Sequence, residues 1–132
     1  MEKRTIKINA QHVAQIKAVL GDLHKKSTEI QSSAVMTRDG ATIASLLGNN
    51  ADTNRLGAMC AALLSLGDKT ANELERGALK QVLLHGDNGY LLIIHVGSNA
   101  VLAVVSNQSS NLGMIFVEAR NTAQKIASEL GF

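Results

Sequence analysis

The chain has 132 residues, 45 % of them hydrophobic, with 13 Lys and Arg against 11 Asp and Glu and a formal net charge of +2. That size suits one domain with one core and leaves no room for a second, and the apolar share excludes disorder over most of the length. A lone cysteine excludes an internal disulfide and favours a reducing, cytoplasmic setting.

Tyr90, Phe116 and Phe132 are the only aromatic residues, so the core must be aliphatic. Single-strand nucleic-acid binders need stacking platforms that these three cannot assemble, and so small a net charge sets up no field for a polyanion. Nucleic acid is therefore not an expected partner. Within residues 1–26, Lys3, Arg4, Lys7, Lys17, Lys25 and Lys26 stand against Glu2 and Asp22, a basic excess read as a solvated tail and helix face. The start Met1–Gln11 is polar and does not read as a signal peptide. The longest uncharged helical run, Leu56–Gly67, is too short to span a bilayer, so no membrane insertion is expected. Residues 1–8 read as an N-terminal extension and 9–132 as the domain.

A first helix is expected after Asn9, a good N-cap. Val13, Ile16, Leu20 and Leu23 follow at helical spacing on one face, and Lys25 and Lys26 complement the dipole at the far end. Two short strands, Ser33–Thr37 and Ala41–Leu46, flank Arg38-Asp39-Gly40, which predicts a hairpin with Asp-Gly in a type I′ turn. Leu47–Thr53 is an Asn-rich loop, from which Asp52 or Thr53 would cap the next helix.

That second helix, about Asn54 to Arg76, carries the most information. Leu56, Met59, Cys60, Leu63, Leu66, Gly67, Ala71 and Leu74 form an apolar stripe suited to covering a sheet. The opposite side of its first half holds Gly57, Ala58, Ala61, Ala62 and Ser65, with no charge from Leu56 to Gly67. A helix apolar or small all round is normally buried on both sides. A domain this small lacks the material for the second cover.

Gly77 is expected to end the helix at the C′ position. Leu79–His85, Tyr90–Val96 and Val101–Ser106 then read as an antiparallel meander joined by Gly86-Asp87-Asn88-Gly89 and Gly97-Ser98-Asn99-Ala100. The nearly continuous apolar runs Leu91–Ile94 and Val101–Val105 call for helices on both sheet faces. The last helix, Leu112 to Leu130, repeats Leu112, Phe116, Ala119, Ala123, Ile126 and Leu130, with a cap from Ser109, Ser110 or Asn111 and a stop at Gly131. The expected fold is α+β, a five-stranded antiparallel sheet between helices in the order α-β-β-α-β-β-β-α.

This order and five fragments within it resemble the roadblock family of dynein light chains and their prokaryotic relatives, most of all the MglB-like regulators of a polarity GTPase. The fragments are Ala34-Val35-Met36-Thr37-Arg38-Asp39-Gly40, Leu56-Gly57-Ala58-Met59-Cys60-Ala61-Ala62-Leu63-Leu64, Gly89-Tyr90-Leu91-Leu92-Ile93, Ala100-Val101-Leu102-Ala103-Val104 and Asn111-Leu112-Gly113 leading into Glu118-Ala119-Arg120. The resemblance implies a profilin-like fold with the first and third helices on one sheet face and the second on the other. It implies homodimers that pair the second helices and join the strands equivalent to Leu79–His85 edge to edge. It implies Ras-like small GTPases as partners, with dynein components in eukaryotes.

The dimer implied by the family converges with the helix pattern: Ala58, Ala61, Ala62 and Ser65 would let two helices approach closely. Leu79, Val82 and Leu84 lie on a strand that would otherwise be an open template for pairing. Arg55, Asp68, Lys69, Asn72 and Glu73 on the second helix are the candidate contacts to a partner.

Catalytic motifs are scarce. Cys60 falls in the apolar stripe with no neighbouring His, which reads as core packing rather than a nucleophile. His12, His24, His85 and His95 are spaced unlike metal ligands. Asn50-Ala51-Asp52-Thr53-Asn54 lacks the glycine and distal Glu of a calcium loop, and reads as loop and cap. No glycine-rich phosphate loop is present. No metal or cofactor is expected, nor a catalytic residue. Arg38, Arg55, Arg76 and Arg120 are arginine fingers by residue type only, with Arg38 read as a hairpin-tip charge and Arg120 as a helix-surface residue. No polar cluster in the sequence marks a small-molecule pocket. The expectation is a non-enzymatic, homodimeric interaction domain that binds and regulates a Ras-like GTPase by orienting the GTPase's own catalytic residues. The alternative is a scaffold or targeting subunit of a signalling or motor complex.

Overall fold

A computed structural model describes residues 8–48, 52–108 and 111–132. The elements run α1 (Ala10–Lys26), β1 (Ile30–Thr37), β2 (Thr42–Leu46), α2 (Thr53–Glu73), β3 (Gln81–Gly86), β4 (Gly89–Val96), β5 (Ala100–Asn107) and α3 (Leu112–Leu130), the expected order. Residues 1–7, and with them Lys3, Arg4 and Lys7 of the basic N-terminal stretch, lie outside the described residues, as do residues 49–51 of the Asn-rich loop and the candidate caps Ser109 and Ser110.

The five strands form one antiparallel sheet in the order β2-β1-β5-β4-β3. The meander accounts for β3-β4-β5. The β1-β2 hairpin then adds to the free side of β5, with Val35 opposite Leu102 and Met36 opposite Val101. Strand alternation sorts side chains between two cores. Ile16, Leu20 and Leu23 of α1 and Ile115, Ala119 and Ile126 of α3 enclose Val35, Leu92, Leu102 and Val104 on one face. On the other, Cys60 and Leu64 of α2 meet Ala34, Met36, Ile93, Val101 and Ala103. The double cover inferred from the continuous apolar runs is present, with α1 and α3 on one face and α2 on the other.

Helix ends follow local chemistry. The Asn9 side chain accepts the His12 N–H at 2.9 Å, and Asp52 Oδ1 accepts the Asn54 and Arg55 N–H groups at 3.0 and 3.3 Å. Asn111 caps α3 through the Met114 N–H, and Gly131 closes it in the left-handed conformation.

Two turns differ from expectation. In the hairpin only Gly40 has positive φ, at 96°, where a type I′ turn would need two such residues. The Gly40 N–H instead donates to the Thr37 carbonyl at 3.0 Å and the Thr37 N–H to Ala41 O at 2.8 Å. Arg38 and Asp39 thus form an ordinary right-handed turn with the left-handed residue after it. The register shift between Val35 and Met36 adds a local irregularity beside it. The second helix stops before Gly77. The Arg76 N–H reaches Ala71 O at 2.7 Å and the Glu75 N–H reaches Asn72 O at 3.1 Å, the paired bonds of a Schellman ending. Glu75, at φ 55°, holds the left-handed position expected for Gly77. That conformation costs a non-glycine residue about 1–2 kcal/mol.

Candidate functional site

The site is built from α2 and from the end of the sheet where β1 turns into β2 and β3 begins. At the helix's N-terminal half, Gly57 faces the hairpin tip. A Cβ added at Gly57 would lie 2.0 Å from Gly40 O, and one added at Gly40 2.5 Å from Gly57 O. The two backbones touch, which fixes both positions as glycine and seats the hairpin on the helix. Farther along, the side chains of Leu79 and Val82 pack beneath Gly67.

This seating rotates α2 away from the expected stripe. Gly57, Cys60 and Leu64 are buried, and Ala61 and Leu63 are partly buried. Met59, Leu66 and Leu74, assigned by periodicity to the sheet-facing stripe, are 52, 63 and 62 % exposed. Gly57, expected on the outer side, lies inside. The physical reason is size: the sheet side accepts glycine and cysteine where backbones meet, so the largest residues need not mark the buried face. The outer face therefore carries Met59, Ala62 and Leu66 in line, flanked by exposed Ala58 and Ser65. Sequence reasoning missed the large members of this face. Their i, i+3, i+7 spacing through Ala62 was the available signal.

Strand β3 is an edge of the sheet, paired only with β4. It runs Gln81–Gly86 rather than Leu79–His85, so Leu79 precedes it. Val82 is partly buried on the α2 side, opposite Ile93, while Leu84 is 46 % exposed. On the α1/α3 side Leu83 is 40 % exposed, since α3 covers β4 and β5. His85 opposes Tyr90, and their rings stack 4.3 Å apart.

The candidate partner contacts do not form one cluster. Arg55 sits in the first turn of α2, while Asp68, Lys69, Asn72 and Glu73 occupy its last turns, roughly 20 Å away at 1.5 Å per residue. Asp68 pairs with Arg38 of the hairpin at 3.7 Å, with both side chains substantially exposed. Arg76 Nε donates to the Leu74 carbonyl at 2.9 Å, which ties it to the helix end.

Beside Asp68 and Asn72 opens a cleft of about 940 Å³ at the end of the sheet, walled by α2, by residues 77–81, by the β4-β5 turn and by α3. Arg38, Lys80 and Arg120 line it with Asn72, Gln81 and Gln124. These residues come from four separated stretches of chain, and only the fold assembles them.

Burial shifts two of the remaining reactive groups. Cys60 is fully buried, and desolvation pushes its thiol up to about 11, which leaves little thiolate at neutral pH. His24 Nε2 lies 2.8 Å from Ser33 Oγ, and burial lowers the imidazole below its ordinary value. Among the described residues no three His, Cys, Asp or Glu side chains gather into a possible metal site, and no helix is long and apolar enough to cross a membrane.

A five-stranded sheet with two helices on one face and one on the other defines the profilin-like class. The chain belongs to the Roadblock/LC7 domain family, whose model matches residues 17–106. An uncharacterized protein of Methanocaldococcus jannaschii is 34 % identical over 111 residues, covering 84 % of this chain and 96 % of the relative. The gliding protein MglB of Thermus thermophilus superposes with TM-score 0.83 at 16 % identity, covering 99 % of this chain and 98 % of that one. Profilin II of Acanthamoeba castellanii is more distant, with TM-score 0.52 at 20 % identity, over 80 % of this chain and 90 % of that one.

Proposed function

We propose that the chain is a non-enzymatic interaction subunit that forms a homodimer through α2 and β3 and binds a Ras-like small GTPase. The exposed line Met59, Ala62 and Leu66 on α2 carries this reading. An apolar helix face left in water is a docking surface, and Ala58, Ala62 and Ser65 around it keep the helix slim enough for close approach. The unpaired edge of β3, with Leu84 exposed, supplies a second adhesive element. Pairing two such edges would join two sheets and bring the α2 helices together on one side, with Leu79, Val82 and Ala61 supporting from beneath. Arg55, Asp68, Lys69, Asn72 and Glu73 then border the paired helices as contacts for the partner.

The GTPase follows from resemblance to the MglB-like regulators and from family membership. A regulator with no catalytic residue of its own acts by binding one conformation of the switch region better than another. Arg38 and Arg76 are each engaged within the chain, while Arg55 and Arg120 are exposed. The indirect effect rests on the family reading and not on these placements.

Light scattering at micromolar concentration tests the dimer: the wild-type mass should be that of two chains, and Ala62→Glu should halve it. Ala62 is exposed in the single chain, so the variant should keep its fold. A monomeric wild type, or an unchanged Ala62→Glu mass, refutes the α2 interface. Timing GTP hydrolysis by the co-purifying GTPase tests the regulator. Binding without a change in rate would establish the scaffold alternative in its place.

A further inference from the structure

The β3-β4 turn, Gly86-Asp87-Asn88-Gly89, takes no part in the reading above, and it holds the only Asn-Gly pair in the sequence. Asparagine is a thermally labile residue, because the main-chain nitrogen that follows it can attack its side-chain amide. A side chain on that following residue hinders the approach, and glycine has none. Here the fold itself requires the glycine. Gly89 has φ 140°, and a Cβ added to it would press on the Ser106 carbonyl oxygen of β5. Asn88 ahead of it is exposed, and its side-chain amide is hydrogen-bonded to no described residue.

The other turns offer a contrast. At Asp39-Gly40 the carboxylate accepts the Thr37 hydroxyl, and Gly40 is wedged against the Gly57 carbonyl. A carboxylate is also a poorer target for a nucleophile than an amide. In the β4-β5 turn Asn99 precedes Ala100, which carries a Cβ and is fully buried.

We propose that Asn88 is a site of spontaneous covalent modification whose product loosens the edge strand β3. The Gly89 nitrogen gives up its proton to hydroxide and bonds to Asn88 Cγ, the Cγ–Nδ2 bond breaks, and the side-chain nitrogen leaves as ammonia. Water then opens the cyclic imide. Opening at Cγ yields aspartate, and opening at the main-chain carbonyl yields isoaspartate. Isoaspartate routes the main chain through Cβ and Cγ, which adds one methylene to the two-residue turn between the paired Gly86 and Gly89. β4 is held on both sides, by β3 and β5, whereas β3 has only β4. The misfit therefore falls on β3. The change concerns the single chain and occurs whether or not two β3 edges pair.

Warm incubation of the folded chain in mildly alkaline buffer tests it, with peptide mapping by mass spectrometry. Position 88 should convert before any other asparagine, and faster as pH rises. Isoaspartate is identified by the labelled methyl group that an isoaspartyl methyltransferase adds to it. Asn88→Gln, whose attack would need a larger ring, should stay unconverted. The isoaspartyl form, isolated by ion exchange, should exchange the amide hydrogens of residues 82–85 about tenfold faster or more than fresh Asn88→Asp. That variant carries the same charge on an ordinary backbone. Unchanged thermal melting of both variants shows that their folds persist. Conversion only after unfolding in urea, or at another asparagine first, overturns the site. Equal exchange in the isoaspartyl form and in Asn88→Asp overturns the loosening of β3.

Discussion

The two faces of the sheet are finished to different degrees. On the α1/α3 side two helices lie side by side, and Ile16, Leu20, Leu23, Leu92, Leu102, Ile115 and Ile126 are each 1 % exposed or less. On the α2 side one helix spans a sheet of the same width. It buries Cys60 and Leu64, yet leaves Met59 and Leu66 more than half in solvent. A sheet face of five strands is wider than one helix of about 10 Å diameter can cover. The first face carries the larger core, and the second carries the surface proposed for association. On that reading stability and interaction lie on opposite sides of one sheet.

The largest expected effect would break that division at its source. Leu20→Ala on the closed face should cost about 2–5 kcal/mol in chemical denaturation, the range for a buried leucine truncated to a cavity. Leu66→Ser on the open face, measured in the Ala62→Glu background, should stay within about 0.5 kcal/mol. Equal losses would show that α2 is not the looser layer. The next effect is local to the open face. Gly57→Ala places a methyl against the Gly40 carbonyl and should cost about 1–3 kcal/mol by forcing the hairpin off the helix. Nearly unchanged stability would mean that the hairpin tip is not seated there.

The smallest effect distinguishes the faces by pH. Burial lowers the His24 imidazole, so the unfolded chain binds a proton that the folded chain resists, and stability should fall as pH drops below the ordinary value near 6.5. Cys60 on the other face is shifted up to about 11, so the folded chain keeps a proton that the unfolded one releases. Its stabilising share is complete below the unfolded thiol value, and it declines as pH rises from there toward 11. Denaturation of His24→Gln should lose part of the acid slope, and Cys60→Ala part of the alkaline one. A slope unaltered by its substitution would rule out that group as the source.

Much of this was legible in the residues. Asn9 and Gly131 announced helix ends, and Asp52 and Asn111 stood among the candidates for two more, because capping is a local matter between one side chain and the adjacent backbone. The continuous apolar runs of β4 and β5 announced double cover. The burial of α2 was only partly legible, because its inner face is set by Gly57 against Gly40, a contact between segments that periodicity cannot see. The Asp-Gly turn and the helix stop escaped the sequence for a related reason. Asp39 and Glu75 took backbone conformations chosen by the hydrogen bonds around them rather than by residue preference.

The sequence by itself determined the elements, their order, the two-sided sheet and the presence of a helix with more apolar surface than its own chain can bury. These depend on spacing along the chain. Only the tertiary structure decided which side of α2 faces water, that β3 is left as an edge, and that Arg38, Lys80 and Arg120 share one cleft. These depend on how distant segments meet, and no local pattern carries that information.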